Sequence, residues 1–145
     1  MTRASGAMEH DVFGVDSNVL VRFFTRDDEE QFRQAAQFFE GAKDRSLFLS
    51  VIVLVEVNWT LRRVYQRARK DVLQTLDDLV HTRQFVIEDR DNVARAIAIA
   101  RTTKADFSDA LIALRNEVGG CERTATFDHD ALDIEQMVQV GALLK

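Results

Sequence analysis

Apolar and polar positions along this chain switch between two periods, and the switches mark its elements. "DVFGVD" at 11–16 and "LFLS" at 47–50 are short apolar runs with polar borders, the pattern of buried strands. Between them, "SNVLVRFFTRDDEEQFRQAAQFFEGAK" sets Val19, Leu20, Phe23 and Phe24 at helical spacing. A break near Asp27 opens a second helix whose acidic first turn suits the helix dipole, and Gly41 stops it. Ser50 stands where it can cap a third helix running through "VIVLVEVNWTLRRVYQ". That run is β-branched enough for a strand, but its continuation is too long for one.

Residues 70–83 predict a further amphipathic helix, with Val72, Leu73, Leu76, Leu79 and Val80 in register. "FVIED" predicts a third strand. "DNVARAIAIARTTK" and "DFSDALIALRNEVGG" predict two more helices, the second ended by Gly119 and Gly120, and "RTATFD" and "MVQVG" predict the last two strands. Strands alternating with helices imply an α/β fold, a doubly wound and mainly parallel central sheet of about five short strands with helices on both faces. No repeat, low-complexity linker or proline interrupts the pattern, so residues 9–145 read as a single domain. Residues 1–8, "MTRASGAM", show no periodicity and contain a second methionine; they read as a leader, an alternative start or a cloning remnant.

Composition narrows the class. A chain of 145 residues can bury a core without metal or disulfide staples. With 46% hydrophobic and 30% charged residues it is not a disordered tail. Cys121 is the only cysteine, and no signal-like or membrane-spanning apolar stretch is present, so a cytoplasmic protein without membrane contact is expected. A net charge of −5 argues at first against a nucleic-acid partner. If Asp16, Glu56, Asp106, Asp109 and Asp128 form a site whose charge a metal offsets, the remaining chain is neutral and its basic patches can still hold phosphates.

Those five acids carry the candidate chemistry. Glu56 is the single charge inside "LFLSVIVLVEVNW", the most apolar run of the chain. Asp16 and Asp128 each close a predicted strand, the end at which open parallel sheets bind ligands. Asp106 and Asp109 stand three apart, on one face at the start of a helix. Each has a plain structural reading: a solvated edge for Glu56, helix capping for Asp16, Asp106 and Asp128. Asp109 fits that reading worst, because it lies beside the apolar Phe107, Ala110, Leu111 and Leu114, where an uncompensated carboxylate is costly. A divalent cation with oxygen preference, Mg²⁺ or Mn²⁺, would account for all of them. His10, His81 and His129 lack metal-like spacing, Cys121 has no partner, and no glycine-rich phosphate cradle occurs.

"GVDSNVLVRFFTRDD", "LSVIVLVEVNWTL", "DFSDALIALRN" and "TFD" resemble, in order and spacing, the PIN-domain ribonucleases, among them the VapC-type toxins of toxin–antitoxin pairs. The resemblance runs from about Asp11 to Gly141. It implies a PIN-like three-layer sandwich and a Mg²⁺- or Mn²⁺-dependent endoribonuclease acting on single-stranded or looped RNA. Asp16 matches the first acid, Glu56 the helix glutamate, Asp109 the acid of the "DALIA" helix and Asp128 the acid after the last core strand. These are the implied catalytic residues. Asp16 and Asp109 are the implied metal ligands, with Asp106, an extra acid of many members, and Asp128 as further ligands. Ser17, Asn18 and Thr126 match small polar supporting positions, whereas Phe127 stands where a polar residue is frequent. The resemblance also implies a cognate antitoxin, and a catalytically inactive PIN-like module binding RNA or protein is the alternative.

Two rival chemistries fail on particular residues. An aspartyl phosphatase needs an acid two positions after Asp16, where Asn18 stands, and a phosphorylatable response-regulator module needs a lysine after the last strand, which "TFDHDALDIEQ" does not offer. Arg62, Arg63, Arg67, Arg69 and Lys70 concentrate positive charge that reads either as a solvated helix end or as an RNA or partner contact. Phe23, Phe24, Phe38, Phe39, Trp59 and Tyr65 are more numerous than one small core requires; Phe23 and Phe38 read as core, and some of the others predict an exposed groove for an amphipathic antitoxin helix. A homodimer is the expected assembly, as for most soluble oligomers.

Overall fold

The computed structural model describes residues 11–144. The proposed leader at 1–8 and His10 lie outside the described residues. In chain order the elements are β1 (Phe13–Gly14), α1 (Ser17–Thr25), α2 (Glu29–Gly41), β2 (Leu47–Leu49), α3 (Val51–Arg63), α4 (Arg69–Val80), β3 (Phe85–Ile87), α5 (Arg90–Thr102), α6 (Phe107–Val118), β4 (Thr124–Thr126) and β5 (Met137–Gln139), with 3₁₀ turns at Asp130–Asp133 and Val140–Leu143.

Local chemistry explains most of the boundaries. Four helices open on a side chain that accepts an otherwise orphaned N–H: Asp16 from Ser17 at 2.7 Å, Asp28 from Gln31 at 3.0 Å, Ser50 from Val53 at 3.2 Å and Asp106 from Ser108 at 3.0 Å. Each such cap stabilises its helix by about 1 kcal/mol. The break between α1 and α2 falls at Arg26, whose φ of 54° is left-handed. Its guanidinium holds that turn, lying 3.9 Å from the Phe32 ring centroid and 3.2 Å from Glu29. α3 ends at Arg63, earlier than the periodicity predicts, because Gln66 turns left-handed at φ 53° and redirects the chain into α4.

All strand pairs are parallel. The five expected strands form at their expected places but divide between two sheets, β1-β2-β3 and β4-β5, where a single sheet was expected. Length accounts for the division. β1 has only two residues, both exposed, and so offers almost no ladder on its second edge, whereas β4 and β5 pair over three positions, Thr124 with Met137 to Thr126 with Gln139. The core is one cluster in which Leu20, Leu54, Val57, Leu61, Leu76, Val93, Ala96, Phe107 and Leu114 are almost wholly buried. α3 contacts α1, α4 and α6, and α5 contacts α6, so the second half of α3 faces the start of α6. Truncating a leucine at the centre of this cluster to alanine costs about 2–5 kcal/mol. No helix among the described residues is long and apolar enough to cross a membrane.

Candidate metal and nucleic-acid site

The start of α6 and the turn after β4 bring three acids into one cleft. Asp106 caps α6 and Asp109 follows one turn later. Asp128 is fixed from both sides. Its N–H donates to Thr126 Oγ1 at 2.9 Å, and its own Oδ1 accepts from the backbone of Asp130 at 2.9 Å and of Ala131 at 3.3 Å. Burial, then the negative charges of Asp106 and Asp128, then contact with the Asp128 carboxyl, hold the Asp109 carboxyl above its ordinary value of 3.8. Capping and clustering therefore coincide in Asp106 and Asp128, and the structural reading of these acids does not exclude the chemical one.

The cleft measures about 460 Å³ and is lined by Asp106, Asp109, Asp128 and Asp130, by Arg62, Arg63, Arg69 and Lys104, and by Val55, Asn58, Trp59 and Ser108. Acids and cations are equal in number. Such a cleft can take a divalent cation on its carboxylates while its cations hold phosphates.

Asp16 and Glu56 are not among its lining residues. Ser17 links the two: its backbone N–H donates to Asp16 and its hydroxyl donates to Glu56 Oε1 at 3.0 Å. Glu56 is exposed, on the opposite side of α3 from Leu54, Val57 and Leu61. Asn18 lines another cleft, with Arg22, Gln31 and Phe38. Thr126 supports Asp128 directly.

The basic segment also divides. Arg67 donates to the Phe24 carbonyl at 2.8 Å. Arg69 donates to the carbonyls of Ala100, Thr103, Lys104 and Ala105, fastening the α5–α6 loop. Lys70 lines a cleft with Asp77 and Arg101. Arg62 and Arg63 alone of the five are exposed on the acidic cleft.

Among the aromatics, Phe23 stacks on Phe32 and meets Phe24 and Phe39 edge-on, and Phe39 meets Phe85. Phe23, Phe24, Phe39 and Phe85 with Leu20 and Leu79 line an apolar groove of about 350 Å³. Tyr65 is turned away from it to donate to Asp27 at 2.6 Å, which is the main reason the Asp27 carboxyl lies below its ordinary range. Trp59 lines the acidic cleft instead.

The model of the PIN domain matches residues 14–136, from β1 to the residue before β5. The chain belongs to the PIN-domain family. PIN domains are generally nucleases, and PIN nucleases generally use divalent metal ions. A toxin–antitoxin complex from Klebsiella pneumoniae is similar at 20% identity over 89% of this chain and 97% of that chain, with a TM-score of 0.34. No curated protein matches.

The donor set of this PIN domain fits a hard cation. Its cleft acids are all carboxylates, and a cation would offset both the burial and the repulsion from Asp106 and Asp128 that raise the Asp109 carboxyl. No group of three or more His, Cys, Asp or Glu side chains among the described residues forms a ready metal cage. Mg²⁺ does not require one, since it is commonly held by one or two carboxylates, waters and substrate phosphate.

Sequence reading missed Asn58. The residue is 4% exposed, and its amide donates to Asp106 Oδ1 at 3.3 Å, to Asp106 Oδ2 at 3.2 Å and to Ser108 Oγ at 3.0 Å. The signal was present: Leu54, Val57, Asn58 and Leu61 fall at i, i+3, i+4 and i+7, so an amide occupies a core position of α3. A buried amide needs partners, and Asp106 and Ser108 supply them.

Proposed function

We propose that this PIN domain is a Mg²⁺- or Mn²⁺-dependent endoribonuclease and the toxin component of a type II toxin–antitoxin pair, acting in the cytoplasm as a homodimer. The observation that carries the nuclease reading is the convergence of Asp109, Asp106 and Asp128 on a cleft that Arg62, Arg63 and Lys104 also line. Asp109 and Asp128 would hold the ion, with Asp106 beside them. When bound, a divalent ion neutralises charge on the scissile phosphate and lowers the pKa of a water for in-line attack. Thr126 orients Asp128, Asn58 orients Asp106, and the two arginines with Lys104 position the phosphate backbone. Asp16 and Glu56, joined through Ser17, complete the acidic set that the resemblance implies.

The toxin part of the reading is supported by the Phe-lined groove, whose size and apolar lining suit side chains of an amphipathic partner helix. A second reading is a PIN-like module that binds RNA or protein without catalysis. Cleavage of an unstructured RNA by purified protein decides between the two. Activity with Mg²⁺ or Mn²⁺ that is lost in EDTA and in Asp109→Asn supports the nuclease. Cleavage undiminished by chelator overturns the metal-dependent reading, and RNA binding without cleavage under any metal leaves the module. The antitoxin is tested by co-expressing the protein encoded alongside, which should co-purify, suppress cleavage and relieve growth arrest.

A further inference from the structure

Trp59 is the only tryptophan in the chain, and 56% of it is exposed. A large amphipathic ring left half in water forgoes the burial that usually holds tryptophan in place. It takes part in none of the ring contacts found among the described residues, where the phenylalanines stack and meet edge-on. Its place is the cleft of Asp109 and Asp128. Arg62 and Arg63 follow it on α3 at i+3 and i+4, on neighbouring positions of the helix surface, and both are exposed. Neither is ion-paired among the described residues. Lys104 lines the same cleft from the α5–α6 loop.

An indole that shares a cleft with cations and carboxylates suits one class of ligand. Phosphates satisfy the arginines, and a base satisfies the ring. We infer, on the reading that this cleft cuts RNA, that Trp59 is a stacking platform for an unpaired base next to the scissile phosphate, with Arg62 and Arg63 holding the adjoining phosphates. Every base has a π-face, so the platform tolerates sequence, but the bases of a duplex are already stacked on their neighbours. Trp59 thereby selects single-stranded or looped RNA. A protein side chain is the rival occupant, and the cations around Trp59 favour the nucleic acid over it.

The sole tryptophan makes the test direct. Full-length protein is mixed rapidly, with Mg²⁺ present, with an unstructured oligoribonucleotide, the same strand in a duplex, and the same strand with one abasic position near the cut; Trp59 emission and cleavage are followed together. The single strand should quench emission before cleavage, the duplex should not, and the abasic strand should quench less. Trp59→Ala should raise KM roughly 5- to 150-fold, the range that one base–aromatic stack supplies, while Trp59→Phe keeps most of the affinity. RNA cleavage with unperturbed emission and an unaltered KM in Trp59→Ala overturns the platform and leaves the ribonuclease standing. Emission that responds to a co-purified protein but not to RNA assigns the ring to protein docking and overturns the platform as well. Absence of both RNA binding and cleavage defeats the ribonuclease reading itself.

Discussion

Asn58 and Asp106 are 48 positions apart, yet the buried amide of the first donates to both carboxylate oxygens of the second. This contact joins the middle of α3 to the N-terminus of α6 and sets the direction of an acid in the cleft. Asn58→Ala should cost about 1–3 kcal/mol, because Asp106 and Ser108 lose a partner in a half-buried setting. Activity or metal affinity should fall about 10- to 100-fold, as when a group supporting a ligand is removed. Urea unfolding with an unchanged slope, paired with cleavage assays, checks both. Asn58→Asp should be worse above the carboxylate range, since it sets a second negative charge against Asp106.

Asp109 makes a pH-dependent contribution of definite sign. Its folded carboxyl binds a proton more tightly than the unfolded one, through burial and the charges of Asp106 and Asp128. Stability therefore falls as pH rises from the unfolded value near 3.8 through the raised folded value, and the penalty is fully present above both. Asp109→Asn should raise Tm by a few degrees at neutral pH in chelator, with the gain vanishing below that range. Adding Mg²⁺ or Mn²⁺ should raise Tm of the parent and not of the variant. A variant that fails to fold would mark Asp109 as structural.

Arg69 is expected to be a tether. Arg69→Ala leaves several carbonyls of the α5–α6 loop without their donor, and a charge-assisted bond of this kind is worth about 1.5–3 kcal/mol. Arg69→Lys should recover little, because an ammonium lacks the planar fork that reaches several acceptors. Hydrogen exchange of residues 100–106 should quicken in both variants.

Arg62 and Arg63 should behave oppositely. Replacing both by Gln should leave Tm unchanged and reduce the slope of log affinity against log salt by about 1.4, at about 0.7 for each phosphate contact on a single strand. An unchanged slope would reduce them to a solvated helix end.

The elements were legible because their signals are local. Ser50, Asp28 and Asp106 act on N–H groups within three residues, and the spacing of Val72, Leu73, Leu76, Leu79 and Val80 shows a helix face without reference to anything else. The clustering of Asp106, Asp109 and Asp128 was half legible: three-residue spacing joins the first two, but only the return of the chain after β4 brings the third to them.

From sequence alone came six helices, five parallel strands in order and the motif order that resembles a PIN domain, because period, caps and motif spacing all reside in short stretches of chain. Tertiary structure alone decided that Ser17 links Asp16 to Glu56, that Arg69 grips a loop while Arg62 and Arg63 stay exposed, and that Trp59 lines the cleft of Asp109 and Asp128 rather than joining the phenylalanines. Those outcomes depend on how α3 crosses α1, α4 and α6, which side of each helix is left uncovered, and where a two-residue strand runs out of ladder. No periodicity carries that information, since the partners are tens of residues apart and meet only when the layers pack.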